Sequence, residues 1–124
     1  MTTLYHHGSS VCAAKVRLLL AEKSVPWEGI YVDILRGDQF DPAYMKLNPK
    51  AVVPTLVHDG KIIVESTVIC EYLDEVFPTP ALKPATPERR AAMRRRISAS
   101  GLRRAYVRFL SPLHHRAAAA GEAQ

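Results

Sequence analysis

The sequence predicts an α/β fold in the order β-α-β-α-β-β-α, and three stretches carry that prediction. Residues 3–34 read as strand, helix and strand, a βαβ unit that sets two strands parallel. Asp59-Gly60 between two apolar runs marks a tight hairpin. Residues 66–77 then carry Val68, Ile69, Tyr72, Leu73 and Val76 at helical spacing.

Residues 3–6 (Thr-Leu-Tyr-His) form the first predicted strand, broken by Gly8-Ser9-Ser10. Over residues 11–23, Val11, Ala14, Leu18 and Ala21 share one stripe, with Lys15, Arg17, Glu22 and Lys23 assigned to the wet side. Ser9 and Ser10 suit the N-cap, and Ser24-Val25-Pro26 ends the helix. Residues 27–34, rich in Trp, Ile, Tyr and Val, form the second predicted strand. Arg36-Gly37-Asp38-Gln39 is a loop, and Asp41-Pro42 opens a short helix that stops at Asn48-Pro49. Strands at 55–58 and 61–64 flank the Asp-Gly turn, with His58 beside it, and Ser66 is expected to cap the next helix. Residues 78–87 hold a proline-rich linker, and Thr86-Pro87 begins one more helix.

The chain has 124 residues, 48% of them hydrophobic, which suits one modest core. Its +5 charge is uneven. Residues 1–87 hold eight Lys/Arg against ten Asp/Glu and carry −2; residues 88–124 hold nine Arg against two Glu and carry +7. Those arginines lie on no single helical stripe, and only Tyr106 and Phe109 accompany them, so no nucleic-acid partner is expected. No apolar run approaches the roughly 18–20 residues of a bilayer-spanning helix. Met-Thr-Thr-Leu-Tyr-His-His lacks the basic-then-apolar order of a secretory signal. The expectation is a cytoplasmic protein, not a membrane one, with Cys12 and Cys70 as free thiols packed inside helices. There is no Cys-x-x-Cys, and His6, His7 and His58 lack metal-ligand spacing, so no metal is expected.

Ser10 ahead of Lys15-Val16-Arg17, the Asn48-Pro49 helix end, Val53-Pro54-Thr55-Leu56, His58-Asp59-Gly60, Glu65-Ser66 and Glu71-Tyr72-Leu73 occur in one order on the expected elements. Together they resemble the N-terminal domain of cytosolic glutathione transferases, bacterial members above all, over residues 3 to 96. The helix Glu-Ser-Thr-Val-Ile-Cys-Glu-Tyr-Leu is similar to that of β-aryl-etherase-type members.

The resemblance implies a thioredoxin-like domain over 1–77, the linker at 78–87 and a partial helical segment, basic and partly disordered, over 88–124. It implies glutathione as co-substrate, a small electrophile as second substrate, and a homodimer. Val53, preceding a cis Pro54, would pair with glutathione's cysteinyl backbone as an added strand does. Glu65 would meet the γ-glutamyl ammonium, and Ser66 its carboxylate at a helix start. Lys50, ahead of Arg36 and Gln39, is the candidate for the glycine carboxylate. Ser10 is favoured as the hydroxyl that stabilises the glutathione thiolate; the spacing Ser-x-x-Cys makes Ser9 the alternative, and Tyr5 is expected to pack.

Family-like character fades after residue 96, where Arg-Arg-Arg-Ile-Ser-Ala-Ser-Gly stands in place of a second helical domain. A truncated or frame-shifted gene is the expectation there. The leading function is therefore a glutathione transferase, with a non-catalytic glutathione-binding or interaction domain as the alternative. A glutaredoxin-like reductase is disfavoured by serine at the usual cysteine position.

Overall fold

The computed structural model describes residues 1–99, divided between the unit Met1–Leu82 and a second unit that begins at Lys83. The first contains β1 (Thr2–His6), α1 (Val11–Glu22), β2 (Glu28–Tyr31), α2 (Pro42–Leu47), β3 (Thr55–His58), β4 (Lys61–Val64) and α3 (Ser66–Val76). The sheet order is β2-β1-β3-β4. β1 and β2 run parallel across the α1 crossover, whereas β3 lies antiparallel to both β1 and β4. This is the mixed α/β arrangement expected of a thioredoxin-like domain.

Alternation along β1 divides the core between the two faces of the sheet. Leu4, fully buried, joins Val16 and Leu20 of α1, Leu56 of β3, and Ile69 and Leu73 of α3. Tyr5, next in sequence, packs instead with Val32, Ile34, Tyr44 of α2 and Val53. The hairpin forms where expected. Asp59 and Gly60 both adopt positive φ, 47° and 79°, as a two-residue turn matched to strand twist demands.

The second strand is shorter than residues 27–34. Pairing with β1 covers Glu28 to Tyr31, and Val32 N–H adds one bond to the His6 carbonyl. Asp33 then turns the chain by accepting from Leu35 N–H at 3.1 Å, which sends Val32 and Ile34 into the core. The loop beyond it contains a 3-10 turn at Asp38–Phe40. His58 is the last residue of β3, not part of the turn. Its Nδ1 lies 3.0 Å from Thr2 Oγ1, and its ring meets Tyr72 and Phe77 edge-on.

Lys23 is not on the wet side of α1; its side chain is 0% exposed. It stands one residue past the helix, where the ammonium reaches Asp74 of α3 at 2.5 Å, the Phe77 carbonyl at 2.6 Å and the Pro80 carbonyl. All three ammonium donors are thereby used. Asp74 Oδ1 also accepts from Leu82 N–H at 2.8 Å, so the segment leaving α3 is tied back to the domain.

The second unit, as far as it is described, consists of α4 (Pro87–Ala99), with Thr86 Oγ1 accepting from Arg89 N–H at 3.3 Å. The expectation of partial disorder within 88–124 lies largely outside the described residues. No described helix is long and apolar enough to cross a membrane.

Candidate functional site

Strand register brings the three predicted site segments to one end of the sheet. Tyr5 of β1 pairs with Thr55 of β3, and Thr55 pairs with Val64 of β4. Ser9 and Ser10 come after Tyr5, Val53 and Pro54 come before Thr55, and Glu65 and Ser66 come after Val64. All three segments must therefore leave the sheet on the same side. Through this single row, segments far apart in sequence become neighbours.

The first segment is the start of α1. Ser10 is its N-cap, and Oγ accepts from Ala13 N–H at 3.1 Å while the Ser10 carbonyl accepts from Ala14 N–H. Capping uses a lone pair of Oγ and leaves its O–H donor. Ser9 differs. Its N–H donates to His7 Nδ1 at 3.1 Å, so that ring atom is an acceptor, and Ser9 Oγ lies 2.7 Å from the same atom. The Ser9 O–H is thus committed to His7. Burial points the other way, because Ser9 is exposed and Ser10 only 1% exposed. Of the two hydroxyls, the Ser9 O–H faces His7 and the Ser10 O–H remains free to donate.

The second segment is the loop into β3, where the Val53-Pro54 peptide is cis, as is Thr79-Pro80. Buried polar side chains brace this loop. Tyr44 Oη donates to the Val52 carbonyl at 2.5 Å and lies 2.8 Å from Thr55 Oγ1. Asn48 Nδ2 reaches the same two groups at 3.1 Å, while Asn48 Oδ1 accepts from Lys50 N–H. The sequence marks Asn48 only as a helix end; nothing in it signals that its amide holds up residues 52–55. Removing that amide strands partners in a dry site, at a cost of about 1–3 kcal/mol. We expect Asn48→Ala to lower the unfolding free energy by that amount, read as a lower urea midpoint at an unchanged slope, and an unaltered midpoint would contradict the bracing role.

The third segment starts α3. Ser66 is not the cap: Glu65 occupies that position without a side-chain capping bond, and Ser66 is the first helical residue. Glu65 holds φ 73° and ψ 116°, a backbone region that L side chains rarely adopt. Its carboxylate pairs with Lys50 Nζ at 2.6 Å. The structure thus unites two residues expected at opposite ends of glutathione. Gln39 is withdrawn as a ligand: it is 2% exposed, and its amide donates to the Ile34 carbonyl. Arg36 is exposed in the same loop.

Around the site, Tyr5 packs on Tyr44 with ring centroids 5.6 Å apart, as expected. Burial pushes the Cys70 thiol up to about 11, which makes it a core thiol and not a nucleophile. His6 accepts from Arg17 Nη1 at 3.2 Å. Burial first, then the Arg17 and His7 charges, lower its pKa from the ordinary 6.5. A histidine that resists protonation when folded binds fewer protons than in the unfolded chain, so stability falls as pH drops below 6.5. Melting temperatures measured against pH should show that loss, and His6→Gln should flatten it; an equal loss in the variant would exclude His6 as the source. Among the described residues, no group of three His, Cys, Asp or Glu could hold a metal ion.

The family profile described as "Glutathione S-transferase, N-terminal domain" matches residues 9–76. The chain is 44% identical over 93 residues to Protein LigF of Sphingobium sp. (strain NBRC 103272 / SYK-6), covering 73% of this chain and 36% of that protein. It is 44% identical over 88 residues to Glutathione S-transferase Z1 of Arabidopsis thaliana, covering 71% of this chain and 40% of that protein. A glutathione transferase homologue from Sulfitobacter, solved with bound glutathione, superposes with a TM-score of 0.74 at 29% identity, over 79% of this chain and 47% of that one. The chain thus spans less than half the length of these relatives. Its sheet order, its helix positions and the profile match over 9–76 lead to one conclusion: the chain belongs to the glutathione S-transferase family, of which it carries the N-terminal domain.

Proposed function

We propose that this domain binds glutathione and holds its thiol as a thiolate for attack on an electrophilic carbon. The observation that carries the reading is the register row Tyr5–Thr55–Val64, which collects the starts of α1, β3 and α3 at one end of the sheet. In this reading the backbone of Val53 before Pro54 receives the cysteinyl unit. Glu65 meets the γ-glutamyl ammonium, and Ser66 receives the adjoining carboxylate at the N-terminus of α3, where free N–H groups and the helix dipole favour an anion. Lys50 exchanges Glu65 for a glutathione carboxylate. Ser10 donates to the sulfur at the start of α1.

The full reaction needs a second substrate, proposed as a small carbon electrophile. The reading also takes the protein as a cytoplasmic homodimer, and the exposed apolar residues Val68 and Val76 of α3 and Leu18 of α1 suit such an association. Retention on immobilised glutathione, together with turnover of a chlorinated aromatic substrate, tests the proposal. A charge-assisted hydrogen bond is worth about 1.5–3 kcal/mol. Glu65→Gln should therefore weaken glutathione binding by roughly 10- to 100-fold. Full affinity in that variant would contradict the assignment, and binding without turnover would favour a glutathione-binding domain over a transferase.

A further inference from the structure

His7 is buried, with its side chain 5% exposed, and it faces a hydroxyl on one side and a carboxylate on the other. Ser9 Oγ lies 2.7 Å from Nδ1, and Asp33 Oδ1 lies 3.4 Å from Nε2. The Ser9 N–H donates to Nδ1, so the neutral ring carries its proton on Nε2, toward Asp33. Asp33 is itself oriented, because Oδ1 accepts from Leu35 N–H. The result is a hydroxyl within hydrogen-bond reach of a base, with a carboxylate at ion-pair distance on the far side of the ring, the same three groups that turn a serine into a nucleophile. Ser9 is exposed, whereas its base is dry. Two residues on, the Val11 and Cys12 N–H groups open α1 without an acceptor among the described residues. They are donors of the kind that steady a developing oxyanion.

We propose that Ser9, His7 and Asp33 form a second reactive centre, independent of glutathione, that accepts acyl groups from small aryl esters. Ser9 Oγ attacks the ester carbonyl carbon as its proton passes to His7 Nδ1. The imidazolium, with Nε2–H toward the Asp33 carboxylate, returns the proton to the departing phenol oxygen as the ester C–O bond breaks. Water then attacks acyl-Ser9 with Nδ1 as base, releasing the carboxylic acid and restoring the hydroxyl. The aryl preference comes from the surroundings. Tyr31, 58% exposed, sets its ring 4.9 Å from the His7 ring, and Leu35 and Val11, two residues from Asp33 and Ser9 in sequence, are also exposed.

The test is hydrolysis of 4-nitrophenyl acetate by the full chain without glutathione, with the acetylated residue located by peptide mass spectrometry. The expected result is release of 4-nitrophenol with acetyl on Ser9. Loss of general-base help costs about 10²- to 10⁴-fold. Asp33→Asn, at a partly exposed position, should therefore slow acetylation by at least about tenfold in a protein that keeps its melting temperature. Acetyl on Ser10, Cys12 or Tyr5 in place of Ser9, no acetylation of the wild-type chain, or an unchanged rate in Asp33→Asn would each overturn the proposal.

Discussion

Replacing Lys23 by alanine is expected to cost about 3–5 kcal/mol, a large share of a domain's stability. The ammonium occupies a dry pocket and serves Asp74, the Phe77 carbonyl and the Pro80 carbonyl together. Its removal takes the ammonium at 2.5 Å away from the buried Asp74 carboxylate, which also accepts from Leu82 N–H. A buried charge that has lost its counter-ion is the costly outcome, more so than loss of the pair itself. At roughly 4–8 °C per kcal/mol for a domain of this size, the melting temperature should fall by more than about 12 °C. Asp74→Ala should do similar damage. The double variant Lys23→Met, Asp74→Leu should recover only in part, because the Phe77 and Pro80 carbonyls and Leu82 N–H still lose these partners. Full recovery would show that only the two charges mattered. A change below about 1 kcal/mol in Lys23→Ala would contradict the burial of its ammonium.

The second large effect is expected at Ser10, on bound glutathione. Its O–H is the hydroxyl donor left at the start of α1, since the Ser9 O–H goes to His7. A hydrogen bond to a charged acceptor is worth about 1.5–3 kcal/mol. Dividing by 1.36 kcal/mol per pKa unit gives a shift of roughly one to two units. Ser10→Ala should let the bound thiol rise by that amount toward the free-thiol value near 8.5. Rates with a saturating electrophile should fall roughly 8- to 25-fold at neutral pH and converge with wild type in base. The lost cap adds about 0.5–2 kcal/mol of instability. Ser10→Thr keeps the hydroxyl and should keep the profile. An unmoved profile in Ser10→Ala, with a moved one in Ser9→Ala, would return the role to Ser9.

Local chemistry makes much of the fold legible. The hairpin over 55–64 comes from a turn dipeptide between apolar runs, and α2 from Asp41-Pro42, whose Oδ1 caps Ala43 N–H at 2.8 Å. The features hidden in the sequence depend on distant partners. Lys23 looks like an exposed helix-end lysine until Asp74, 51 residues away, is brought to it. His7 lacks metal spacing and so suggests no role, because Asp33 reaches it only through the pairing of β1 with β2. Ser66 yields the cap position to Glu65, whose positive φ no residue type there announces. A strand over 27–34 is too long because an inward Val32 and Ile34 look the same in a strand as in a buried turn. The proposed site is partly legible: Ser10, Pro54 and Glu65 can be put forward from sequence, but the Lys50–Glu65 pair and the Tyr44–Asn48–Thr55 brace cannot.

Glutathione titrated into the isotope-labelled protein, followed amide by amide by NMR, tests the central claim most directly. The account predicts saturable shifts confined to three stretches: the start of α1 around Ser10 to Ala13, the loop at Val52 and Val53, and the start of α3 at Glu65 and Ser66. Saturation without shifts at two of those three, or shifts centred on the outer edge of β2, would contradict a glutathione site assembled by the row Tyr5–Thr55–Val64.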